Sequence, residues 1–128
     1  MTYYISRVLT VPFDAVVGRT REALKAEGFG VLTEINVRDT LKAKIGVEFP
    51  SYIILGACNP ALAHEALLLE NKVGTMLPCN VVVRDAGNDQ TEVAAIDPVA
   101  SMQAIDNPSL KEAACIVRAK LEKVVAAI

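Results

Sequence analysis

The spacing of apolar residues changes several times along this chain, and each change marks an element. Tyr3 to Thr10 is dense in aromatic and β-branched residues and predicts a strand. Pro12 suits the first position of a helix. Phe13, Val16, Val17, Thr20 and Leu24 follow at helical spacing, and Gly28 supplies a stop. Arg19, Arg21, Glu22 and Lys25 make the polar face of that helix. Gly30 to Val37 predicts a second strand, with Val31, Thr33, Ile35 and Val37 on one face.

Asp39 is the expected cap of a short helix, Thr40 to Ile45, that ends at Gly46. Tyr52 to Cys58 lacks alternation, which predicts a central strand covered at least in part on both faces. Asn59 as cap and Pro60 at the first position start a helix to about Glu70. After a turn at Gly74, Asn80 to Asp85 reads as a strand. Ala86 to Gln90 is a polar turn, and Thr91 to Ile96 returns antiparallel until Asp97-Pro98 stops it. Asn107-Pro108 opens the last helix, whose stripe is Leu110, Ala114, Val117, Leu121, Val124 and Ile128. The order β-α-β-(short α)-β-α-β-β-α predicts an α+β fold. Its sheet should be curved and mainly antiparallel, with helices packed on one face.

The helix from Pro60 is apolar most of the way round. Leu62, Ala66 and Leu69 share one face, while Leu67 and Leu68 point largely away from it, near His64. Two readings fit: the segment from Asn71 to Pro78 covers the second face, or the helix self-associates as a homodimer.

Composition narrows the function classes. At 128 residues the chain is expected to be one domain, residues 1–128, large enough for a core without disulfides. With 52% hydrophobic residues and no Trp, that core must be built mainly from Val, Ile, Leu and Ala. A net charge of −2 with no block of like charge gives no electrostatic footprint for nucleic acid or an anionic membrane. No stretch approaches the roughly 20 apolar residues of a membrane span. The start of the chain lacks a basic region followed by an apolar core, so no secretory signal is expected and the cytosol is the expected compartment. Three cysteines, an odd number, also fit a reducing compartment.

The candidate chemistry is a repeated Cys-Asn beside proline, in Gly56-Ala57-Cys58-Asn59-Pro60 and Leu77-Pro78-Cys79-Asn80-Val81. Cys58 precedes a helix start, where the positive end of the helix favours a thiolate. Cys79 opens a strand with no such help, so Cys58 should be the more reactive and Cys79 its partner. If the two strands are neighbours, the thiols can form a disulfide, hold a soft metal such as monovalent copper, or act as attacking and resolving pair. Asn59 and Asn80 can donate amide hydrogens to a thiolate or a bound anion. His64 would be a third ligand, but structural zinc takes four and no fourth is evident. Lys42 and Lys44 can face an anionic ligand or simply be solvated. The alternative is that both cysteines are small packing residues and each Asn only caps or turns the chain. Cys115 falls opposite the last helix's apolar stripe and should be exposed or at an interface.

These segments, with Leu62-Ala63, Ala66-Leu67, Val81-Val82-Val83, Asp97-Pro98, Asp39 and Leu41-Lys42-Ala43-Lys44, resemble the family called domain of unknown function 302. The likeness runs along nearly the whole chain. It implies a curved sheet with two main helices, similar to the TATA-binding-protein-like arrangement, and it brings no reaction or cofactor. Likeness of fold does not imply DNA binding. Other familiar sites are missing: there is no phosphate-binding glycine loop, no C-x-x-C and no Gly-x-Ser-x-Gly. Asp85 and Asp89 read as turn formers. Neither a hydrolase nor a nucleotide enzyme is supported, and a non-catalytic, homo-oligomeric binding module stands beside the dithiol site as the second reading.

Overall fold

A computed structural model describes residues 2–128. Its strands are β1 (Tyr4–Leu9), β2 (Gly30–Asn36), β3 (Tyr52–Cys58), β4 (Cys79–Gly87) and β5 (Gln90–Ile96). Its helices are α1 (Phe13–Ala26), α2 (Val37–Ile45), α3 (Pro60–Leu69), the single turn α4 (Pro98–Ser101) and α5 (Pro108–Ala127). The strands form one antiparallel sheet in the order β1-β5-β4-β3-β2. The predicted α+β class and antiparallel sheet are therefore observed.

The core forms because side chains on alternate positions of the strands meet the apolar stripes of α1 and α5. Leu9, Leu55, Ala57, Val81, Val83, Val93 and Ala95 pack against Val16, Leu24, Leu121, Val124 and Val125. Thr20 sits within the α1 stripe, and its buried hydroxyl donates to the Val16 carbonyl at 2.7 Å. That satisfies the one polar group the stripe carries inward. A second cluster, Ala66, Val73, Met102, Leu110 and Ala114, joins α3 to the start of α5.

Local chemistry sets the boundaries. Asn59 and Asn107 cap α3 and α5 as expected, each accepting from the backbone N–H three residues on, at 3.3 and 3.2 Å. Asp97 does more than stop β5. It caps α4, its Oδ1 accepting from Val99 N at 2.9 Å, and its Oδ2 lies 3.3 Å from Arg118 Nε. Pro12 is the residue before α1, in extended geometry, rather than its first turn. The β4–β5 hairpin turns on Asn88 and Asp89, both with positive φ, which gives the twist that two-residue hairpins need.

Three expectations are corrected. The short helix starts at Val37, three residues early, because Asn36 rather than Asp39 caps it: Asn36 Oδ1 accepts from Asp39 N at 3.0 Å. Val31 does not share a face with Thr33 and Ile35, because a bulge between Val31 and Thr33 flips the strand's parity. β3 is fully covered on one face only: Ile53, Leu55 and Ala57 face the core, while Tyr52 and Ile54, on the side where α1 and α5 leave no layer, stay half-buried. Among the described residues, no helix is long and apolar enough to cross a membrane.

Candidate functional site

Antiparallel pairing of β3 with β4 brings the two Cys-Asn segments together at one end of the sheet. Ala57 lies opposite Cys79, and Gly56 opposite Asn80. Cys58 is the last residue of β3, and Asn59 then turns the chain into α3. Gly28, with φ 82°, ends the α1 turn beside this corner. A Cβ there would stand 3.2 Å from Asn59 Nδ2, so the corner is built for glycine. Gly56 meets a similar limit, because a Cβ on it would collide with Thr33 Oγ1 and Pro78 Cγ.

These elements enclose a cavity of about 40 Å³. Cys58, Asn59, Leu77, Pro78 and Cys79 form one wall; Leu62 and Ala66 of α3 and Leu110, Ala114 and Val117 of α5 form the other. The lining is nearly all apolar, apart from the two thiols and the Asn59 amide. A cavity of this size has room for one or two waters or a very small ligand. Both sulfurs are partly buried, and the three cysteines are free thiols, with Cys115 exposed. Burial pushes the Cys79 thiol up to about 11, and the neighbouring Cys58 adds to the rise. At neutral pH Cys79 is therefore a protonated, weakly polar wall group.

The structure separates the other candidates from this cavity. Asn80 follows Cys79 on the strand, so its side chain falls on the sheet's bare face, next to Val82 and Arg84. His64 is exposed on α3, away from the lining positions Leu62, Ala63 and Ala66. Lys42 and Lys44 lie on α2, beyond the opposite end of β3, and Lys42 pairs with Glu48 at 3.1 Å. Among the described residues, no group of three or more His, Cys, Asp or Glu is placed to hold a metal, so the three-ligand set with His64 does not form. The pattern reading missed Phe29, Pro98 and Met102, which also line the cavity. Their only signal was ordinary apolarity beside turns.

The family profile "Domain of unknown function DUF302" matches residues 5–128. The chain belongs to the DUF302 family. The DUF302 chain is also similar to a solved structure, the crystal structure of an uncharacterized conserved protein DUF302 from Bacillus stearothermophilus. The two share 30% sequence identity and superpose with a TM-score of 0.92, over 99% of this chain and 98% of that one. A search of curated proteins found no match. Family membership thus brings the fold, while the chemistry of the Cys58/Cys79 site rests on its own geometry.

Proposed function

We propose that this chain is a small binding or redox module whose working groups are the Cys58 and Cys79 thiols at the apolar cavity. The observation that carries this reading is that two cysteines twenty-one positions apart in the sequence line one cavity. Cys58 is the entry group, at a strand end just before the α3 cap, and Cys79 is the sheltered partner. Oxidation by a peroxide or a small disulfide would join the sulfurs and pass two electrons to the oxidant, with release of two protons. A soft monovalent ion held by the two sulfurs alone is the other use of the same pair, again with loss of the thiol protons. A reducing, cytosolic setting belongs to this reading, because free thiols persist there. The curved sheet expected from TATA-binding-protein-like folds serves as scaffold only.

The test is thiol titration of native and unfolded protein, with Cys58→Ser and Cys79→Ser, alongside Cu(I) competition against a chelator. One thiol besides Cys115 should react in the native state, and it should vanish in Cys58→Ser. If both thiols stay silent until denaturation and no Cu(I) is retained, the reading fails.

A second reading is favoured by the raised Cys79 pKa: the cysteines are packing groups in a non-catalytic module that works by self-association. Leu67 and Leu68 of α3 support it, since both remain exposed. A stable monomer in light scattering would remove it.

A further inference from the structure

We infer that the bare face of the sheet is the interface of a two-fold homodimer. This goes beyond the cavity reading and does not rest on it. The strand registers order the face into rows. Ser6, Ala94, Val82, Ile54 and Ile35 form the middle row. Val8, Glu92, Arg84 and Tyr52 form the next row. Tyr4 and Ile96 lie on the other side of the middle row. Tyr4, Val8 and Ile35 are 40%, 50% and 47% exposed, although each projects from a sheet. Glu92 and Arg84 are the charged members of these rows, and they neutralise each other, with Nε and Oε1 2.7 Å apart.

The surface total of the chain leaves room for an interface of this size. A compact monomer of 13.7 kDa exposes about 6,600 Å². This chain exposes 7438 Å². The excess, about 800 Å², matches what one partner contributes to a standard interface. Five strands at about 4.8 Å spacing and about six residues long present about 480 Å² in flat projection, before side-chain relief is added.

A second copy is the occupant that the charge pattern fits. In an isologous face-to-face contact, let the two-fold axis run along the strands between β4 and β5. β4 of one copy then lies on β5 of the other. Arg84 meets the partner's Glu92, and Glu92 meets the partner's Arg84. The four charges alternate in sign, as buried charges must. Val82 meets the partner's Ala94, large against small, and Tyr52 meets the partner's Val8. A crossing near −30°, the usual angle of packed sheets, keeps these central pairs in contact.

The experiment is analytical ultracentrifugation of the full chain, with its Arg84→Glu, Glu92→Arg, double-swap, Ala94→Arg and Leu68→Lys variants, each checked for native circular dichroism. The wild type should sediment at twice the chain mass. Arg84→Glu and Glu92→Arg should each weaken the dimer by at least about tenfold, since each opposes like charges across the axis. The double swap should recover it. Ala94→Arg should dissociate it, and Leu68→Lys should leave it intact. A wild-type monomer at 100 μM order of concentration (about 10⁻⁴ M) overturns the inference. So does a dimer indifferent to Arg84→Glu and Ala94→Arg, or one broken by Leu68→Lys, which would move the interface to α3.

Discussion

Cys79 offers a direct measurement of how dry the cavity is. Its folded-state thiol is raised from 9.0 to about 11, chiefly by burial. A thiol in the unfolded chain ionises near 9, so between those values the unfolded state holds fewer protons than the native state. Stability from this group is therefore fully present below pH 9 and is lost as pH rises toward 11. At 1.36 kcal/mol per pH unit, the full loss is about 2.7 kcal/mol, and at pH 10 it is about half of that. Partial solvent contact at Cys79 and the share contributed by Cys58 lower the expected loss at pH 10 to about 1 kcal/mol. Lysines and tyrosines titrate in the same range, so the clean readout is a difference. Urea unfolding of Cys115→Ala and of Cys115→Ala/Cys79→Ala should be compared at pH 7.5 and pH 10. The first protein should lose about 1 kcal/mol more than the second over that interval. Parallel pH profiles would refute the argument: Cys79 would then be as hydrated in the fold as in the unfolded chain, and the cavity would be wet.

Other perturbations follow from particular contacts. Gly28→Ala should destabilise by about 1–2 kcal/mol in chemical denaturation, because φ 82° and the nearby Asn59 amide both oppose a Cβ. Asn59→Ala should cost about 1 kcal/mol through loss of the α3 cap, and hydrogen exchange should show fraying confined to the first turn of α3. Arg7→Met should free the carbonyls of Ala126 and Ile128, which its guanidinium now reaches at 2.9 Å each, speeding amide exchange in the last turn of α5 and lowering stability by about 1 kcal/mol.

What could be read along the chain was local. Asn59-Pro60 and Asn107-Pro108 announce helix starts, because the cap and the proline act on their own backbone within three residues. The stripe of α5 was legible for the same reason: period decides which side is buried. Asn36 was not legible as a cap, since it closes a run that alternates like any strand. The β2 bulge was hidden too, because one extra residue changes every later face without changing composition. In the candidate site, the adjacency of Cys58 and Cys79 followed once β3 and β4 were paired. The separation of Asn59 from Asn80 depended on parity at β4, and that parity is set by packing against α5 and α1. His64 looked available because helix spacing alone does not say which side of α3 meets the core.

The strand order holds a consequence for how the molecule is made. Among the described strands β1 is made before the others, yet it pairs with β5 alone, with Tyr4 opposite Ile96. Its Arg7 then waits for the carbonyls at residues 125–128. The β3–β4–β5 meander can zip up from near neighbours, whereas the opening segment must remain unclaimed until almost everything downstream exists. Closure of the longest loop is thus deferred to the end, when the entropy of bringing distant segments together is lowest for the part already folded. β1 is thus synthesised before its partner and placed after it, so a chain halted before β5 would leave this strand's edge unpaired and open to capture by a chaperone.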